Sequence, residues 1–156
     1  IYYMEGKMNF LILGSGDPHI EQQLENLRNN LFGYYNSQIG YNEKLSHQMY
    51  AGADYLLMPS RVEPCGLNQM YALRYGTIPI VRNTGGLKDT VKDFGDEGGY
   101  GICFNEASVG DICYSVHRAV QLYEQQERLN EIRKKIMQIN NSWEKSAEMY
   151  IDLYNL

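Results

Sequence analysis

The sequence predicts one α/β domain built on a parallel sheet with helices flanking it, and three observations carry that expectation. Short, almost wholly apolar runs, at residues 9–13 (NFLIL), 55–58 (YLLM) and 78–81 (IPIV), alternate with segments whose apolar residues recur at helical spacing. Strands of that kind belong in a sheet covered on both faces, because a half-solvated sheet would alternate apolar and polar residues. The chain has 156 residues, 44% of them hydrophobic, which suffices for one substantial core. No repeat, low-complexity tract or Pro/Gly/Ser-rich linker marks an internal boundary.

In order, the run at 9–13 ends at Gly14-Ser15-Gly16, and residues 18–31 carry Ile20, Leu24, Leu27 and Leu31 in helical step. Asp17 is placed to cap that helix and Pro18 suits its first position, where an N–H would lack an intrahelical partner anyway. A weaker strand is expected at 38–41, then a helix from about 42 to Gly52 with Leu45, Met49 and Tyr50 inward. The alternation continues with strand 55–58, helix 66–75 and strand 78–81. The Gly-rich, acidic segment 95–101 (GDEGGYG) reads as a surface loop before a last short strand at 102–104. Three helices follow, at 109–126 with Ile112, Val116, Val120 and Tyr123 in step, at 128–139, and at 142–156.

Composition narrows the function. Fourteen Lys and Arg against nineteen Asp and Glu leave a net charge of −5, and the longest basic run is Arg133-Lys134-Lys135, so neither nucleic acid nor an anionic membrane is an expected partner. Cys65, Cys103 and Cys113 are odd in number and lack metal-ligand spacing, which argues against disulfides and zinc and for a reducing, cytoplasmic setting. No apolar run reaches the ~20 residues that span a bilayer. The start, IYYMEGKMNF, has neither a signal-peptide pattern nor an initiator Met, and the expectation is an excised piece of a longer protein.

Ligands of α/β domains bind at the carboxyl ends of the strands. Gly14 and Gly16 stand at such an end, but a dinucleotide fingerprint needs glycine three residues after Gly16, where His19 stands. The turn is either a tight connection or a place where backbone amides meet a phosphate or sugar hydroxyl. Glu63, in Ser60-Arg61-Val62-Glu63-Pro64-Cys65-Gly66, leaves a buried strand just as a helix opens. It is either a ligand-binding carboxylate or an acid seated favourably at its own helix terminus. Proline after the acid and then glycine would let the amides of Gly66, Leu67 and Asn68 approach a diphosphate. Cys65 reads more readily as a small packed residue than as a reactive thiol. Gly85 and Gly86, after the next strand, fit either an ordinary turn or a close approach to ligand. His47 within a helix and Tyr41 after a strand read as ordinary surface or packing residues that would touch ligand only if the edge is a site.

Glu63-Pro64-Cys65-Gly66-Leu67, with Pro59-Ser60-Arg61 before it and Gln69, Tyr71, Tyr75-Gly76-Thr77, Pro79, Val81-Arg82 and Thr84-Gly85-Gly86-Leu87-Asp89-Thr90-Val91 after it, resembles the C-terminal half of bacterial glycogen synthases and plant starch synthases. Gly14-Ser15-Gly16-Asp17-Pro18, Ile39-Gly40-Tyr41, Ser46-His47, Gly52-Ala53-Asp54 and Ser142-Trp143-Glu144 through Tyr154 extend the resemblance along nearly the whole chain. The wider group often carries a second acid eight residues after the first; Tyr71 stands there and agrees with the glycogen and starch synthase branch.

The resemblance implies a GT-B glycosyltransferase whose Rossmann-like C-terminal domain holds a sugar nucleotide. Such enzymes move glucose from ADP-glucose to the non-reducing end of an α-1,4-glucan such as glycogen, with retention and without metal or other cofactor. By position, Glu63 would bind the donor glucose as the catalytic carboxylate, with Cys65 and Gly66 bordering it. The amides of Leu67 and Asn68 would hold the diphosphate, Tyr41 would stack on adenine, Gly85 and Gly86 would lie close to the nucleotide, and His47 would stand behind it. Residues 1–156 would then be a partial C-terminal domain lacking its first strand, its N-terminal partner domain and the cations that neutralise the diphosphate, so the isolated chain is expected to be inactive. The terminal helix would cross toward the absent domain.

Overall fold

The computed structural model describes residues 6–155, which divide into two compact units, the first ending at Ala53 and the second beginning at Asp54. Both are α/β with parallel strands flanked by helices, as the sequence predicts.

In the first unit, β1 (Phe10–Gly14) pairs in parallel with β2 (Tyr35–Ile39), Phe10 opposite Tyr35 and Gly14 opposite Ile39. The crossover is α1 (Pro18–Asn30), and it begins as expected: Asp17 Oδ1 accepts from the amides of His19 at 2.8 Å and Ile20 at 3.3 Å, with Pro18 in the first turn. α2 (Glu43–Gly52) follows, with Asn42 Oδ1 accepting from the Leu45 amide. β2 begins three residues earlier than residues 38–41 suggest. Tyr35 and Ser37 alternate inward while Asn36 and Gln38 face out, so a two-residue period with a polar Ser on the inner face sets the strand where no apolar run exists. Leu11 is 58% exposed, so burial on both faces does not extend to this sheet.

The second unit holds β3 (Tyr55–Met58), β4 (Ile78–Arg82) and β5 (Ile102–Phe104) in the order β3-β4-β5, all parallel. β4 is the central strand, with Ile78, Ile80 and Val81 at 3% exposure or less. Burial of each such side chain contributes roughly 1.5–3 kcal/mol. α3 (Asn68–Tyr75) brings Leu73 onto a core shared by Ile78 with Leu122 of α5 (Val109–Tyr123) and Leu129, Ile132 and Ile136 of α6 (Gln126–Ile136). α4 (Gly85–Thr90) brings Leu87 against Met58, Val81 and Val91. α3 ends at Gly76, whose left-handed backbone (φ 80°) lets its amide reach Leu73 O and that of Thr77 reach Ala72 O. α7 (Trp143–Tyr154) buries none of its residues, and Trp143 and Tyr154 are more than 80% exposed. The expected helix end at residue 156 and the chain's first five residues lie outside the described residues.

α5 turns a different face inward from the one its apolar spacing suggests. Ser115, Ala119 and Leu122 are buried, whereas Val116 and Val120 are half-buried and Tyr123 is exposed. Two small residues bring the helix close to the sheet: Tyr55 Oη donates to Ala119 O at 2.8 Å, and Ser115 Oγ donates to Asp111 O.

The glycine-rich segment 95–101 lies at the surface but is fastened at several points. Asp93 accepts from both Arg118 Nη atoms at 2.6 and 2.9 Å and from the Cys103 amide, Arg118 and Arg128 cover the Phe94 ring, and Lys135 Nζ donates to Gly98 O. Burial raises the pKa of Asp93, but the Arg118 guanidinium and the amides of Cys103 and Gly95 outweigh it, leaving the carboxyl below its ordinary value. Burial and then the nearby Asp93 charge push the Cys103 thiol up to about 12, so it stays protonated at neutral pH.

A carboxyl whose pKa is lower folded than unfolded adds stability above the unfolded value, about 3.9, and loses it as pH falls through the folded value. Asp93→Asn is therefore expected to be less stable than the parent chain at pH 7, with the gap closing below about pH 4. Urea midpoints followed by circular dichroism across that range check this; a gap independent of pH contradicts it.

Candidate functional site

The functional edge of the second unit consists of two loops, one leaving β3 and one leaving β4. The β3 loop carries Glu63, which is half-buried and accepts from Ser60 Oγ at 3.3 Å. The Gly86 amide contacts two carbonyls of this loop, Glu63 O at 3.2 Å and Pro64 O at 3.3 Å. Gly85 and Gly86 open helix α4 rather than an ordinary turn, and they are glycine for a reason internal to the protein. A Cβ on Gly85 would lie 1.8 Å from Glu63 O, and one on Gly86 would lie 2.0 Å from Cys65 O. The close approach that their sequence suggests is one of backbone to backbone.

Side chains hold the same loop at both ends. Arg82, at the end of β4, donates from Nη1 to Arg61 O at 2.8 Å and from Nε to Asn105 O at 2.9 Å. Gln69, fully buried in the first turn of α3, donates from Nε2 to Gly66 O at 2.9 Å and lies 3.3 Å from Cys65 O. The carbonyls of Arg61, Glu63, Pro64, Cys65 and Gly66 are thus all turned onto protein donors. No described peptide is cis, and in a trans peptide the N–H points opposite to the C=O. The amides of Gly66 and Leu67 therefore face away from Gln69. They join the first amides of α3, which have no intrahelical acceptor, and Leu67 supplies no side-chain cap. This is a cluster of backbone donors at a helix N-terminus, beside a carboxylate, at the carboxyl end of parallel strands. It suits an anion attached to a hydroxyl-bearing group.

The structure thus brings together Glu63, Cys65, Gly66, Leu67, Asn68, Gly85 and Gly86. Cys65 departs from the packing expected of its residue type. It is exposed, because its backbone, and not its side chain, lies against Gly86. Leu67 and Asn68 are exposed and Tyr71 is 45% exposed.

The remaining candidates lie in the first unit, at the corresponding edge of its own sheet. Gly14 ends β1 and its carbonyl accepts from the Gly40 amide at 2.8 Å; Tyr41 follows, 88% exposed and beyond the strand. The Gly16 amide donates to Glu21 Oε1 at 2.7 Å, so in this turn, which by sequence is either a tight connection or a place where amides meet a ligand, a carboxylate of α1 occupies that donor. His47 is exposed on α2 and meets the Tyr50 ring edge-on.

Sequence reasoning did not assign roles to Gln69, Arg82, Thr90 or Asn105. A buried amide in the first turn of an otherwise amphipathic helix and an arginine ending an apolar strand are the local signals. Among the described residues, no three His, Cys, Asp or Glu side chains converge on a metal-sized space, and no helix is long and apolar enough to cross a membrane.

The packing at Gly86 is testable against a glycine with room. Gly86→Ala is expected to destabilise by about 1–3 kcal/mol or more through overpacking. Gly16→Ala, where a Cβ meets nothing within 4 Å, is expected to stay within about 0.5 kcal/mol of the parent. Denaturant titration of both variants decides; equal effects contradict the backbone contact.

The family model for glycosyl transferases group 1 matches residues 4–136. A glycogen synthase of Flavobacterium johnsoniae is 62% identical over 150 residues, and one of Bacillus cytotoxicus is 46% identical over 154. These matches cover 96% and 97% of this chain, and in both cases 32% of the relative. Among solved structures, the catalytic domain of starch synthase IV from Arabidopsis thaliana, bound to ADP and acarbose, is 38% identical with a TM-score of 0.85, covering 94% of this chain and 32% of that one. The family match spans both units and includes the β3 and β4 loops, so the chain belongs to the glycosyl transferases group 1 family.

Proposed function

We propose that this chain forms the donor-binding part of a retaining glucosyltransferase that takes ADP-glucose and extends the non-reducing end of an α-1,4-glucan. The observation that carries the reading is the donor cluster at the start of α3. Loop carbonyls are turned inward, the amides of Gly66, Leu67 and Asn68 are left for a ligand, and Glu63 stands three residues before Gly66. Breaking the bond between the anomeric carbon and the diphosphate leaves negative charge on the diphosphate. Fixed amides and a helix dipole stabilise that charge without reorganising, and loss of one such preorganised donor typically costs ~3 kcal/mol in the transition state. In the proposal Glu63 holds the hydroxyls of the donor glucose and orients the ring as positive charge develops there. Cys65 borders the sugar, and Gly85 and Gly86 place their loop beside the nucleotide. No resident metal or cofactor enters the proposed reaction. ADP in the starch synthase structure favours adenine over other bases.

The chain spans 32% of each relative above, and the proposal assigns it nucleotide binding, with turnover requiring segments beyond it, among them an N-terminal GT-B domain that the exposed aromatic face of α7 would meet. Isothermal titration with ADP, UDP and NAD tests the donor assignment: ADP is expected to bind tightest, and preference for UDP contradicts it. In the full-length transferase, Glu63→Ala is expected to fold normally and lose at least about a hundredfold in turnover; near-normal turnover contradicts the role given to Glu63.

A further inference from the structure

The β3 loop and α4 are joined by a relay that the donor-site reading does not require in advance. Gln69 Nε2 carries two hydrogens. One reaches Gly66 O at 2.9 Å and the other Thr90 Oγ1 at 2.9 Å, with Cys65 O a longer contact at 3.3 Å. Thr90 Oγ1 spends its own hydrogen on Gly86 O at 2.6 Å and so can only accept from Gln69. Gln69 is fully buried and its Oε1 finds no hydrogen-bond donor among the described residues. A buried amide with an idle acceptor is disfavoured relative to an apolar residue of similar volume, so its net effect lies in what the –NH2 group fixes. What it fixes is the plane of two peptides. With Cys65 O and Gly66 O drawn toward Gln69, the Gly66 and Leu67 amides are directed the other way. Gly66 itself is left-handed (φ 73°), and a Cβ there would meet Gln69 Oε1 at 2.6 Å, so the glycine and the buried amide fit as a pair.

We infer that Gln69 is a positioning residue of the nucleotide site: through Gly66 O and Thr90 it holds the loop after β3 in register with the start of α4, and so aims the backbone amides that receive the diphosphate. The inference rests on the donor-site reading above for its ligand, and on geometry alone for the clamp.

Gln69→Met keeps the volume and removes the donors. ¹⁵N order parameters of Gly66 and Leu67 and the Kd for ADP are measured on the whole chain, beside its Tm. The expected result is order parameters falling from the rigid-backbone value of about 0.85 and a Kd raised at least fivefold, with the fold retained. A Tm that falls while order parameters and Kd stay at parent values makes Gln69 a packing residue and overturns the inference. So does a loosened loop with unchanged Kd. If the parent chain itself fails to bind ADP, the donor-site reading falls. The clamp then stands or falls on the order parameters alone, and unchanged values overturn it. If Gln69→Met does not fold, Thr90→Val, which removes the acceptor that anchors Gln69, carries the same comparison.

Discussion

Two glycines pressed against a neighbouring backbone set the geometry on which the rest of the site depends. Gly86 donates its amide to the carbonyls of Glu63 and Pro64, and neither Gly85 nor Gly86 has room for a Cβ. That contact fixes the height of the β3 loop over the β4 edge. It also turns the loop's middle carbonyls inward, as Arg82 does at one end and Gln69 at the other. Since the C=O and N–H bonds of a trans peptide point in opposite directions, inward carbonyls make outward amides. The cluster of outward amides at the α3 start, to which the proposed function assigns the diphosphate, is thus a product of how the loop is held as well as of the helix behind it.

The scaffold supports this arrangement from below. β4 is buried along nearly its whole length; the left-handed Gly76 that closes α3 lies just before it, and it ends on the Arg82 that holds the β3 loop. α5 and α6 cover the sheet through small and aliphatic contacts, and the ion pair between Asp93 and Arg118 ties the glycine-rich segment to α5. Edges that bind ligand need such a rigid base, because a donor displaced by an ångström loses most of its effect on a developing charge.

Legibility in the sequence followed the kind of interaction involved. β3 and β5 were readable to the residue because each is a short, wholly apolar run, and α1 because Asp17-Pro18 is a local start signal. β2 was misplaced because its inward residues are Tyr35 and Ser37, which carry too little apolar signal to define a strand. α5 was rotated because its closest contacts use Ser115 and Ala119, whereas periodicity weighs the larger Val116 and Val120. At the site, the motif around Glu63 stood out, but Cys65 read as packed and is exposed, and the glycine pair, which by sequence fits either an ordinary turn or a close approach to ligand, lies against the backbone of the Glu63 loop. Gln69 and Arg82 went unassigned for a physical reason: their bonds to Thr90 and to Arg61 span 21 residues each, and no local pattern encodes a partner that far along the chain.

The most direct test of the account compares backbone amide shifts on adding ADP and on adding adenosine, residue by residue, in a ¹⁵N-labelled sample. Adenosine offers the base and ribose without the diphosphate. The account predicts that ADP, and not adenosine, moves the amides of Gly66, Leu67 and Asn68 more than any others in residues 54–155. Equal shifts with both ligands, or ADP shifts that leave those three amides in place, would contradict it.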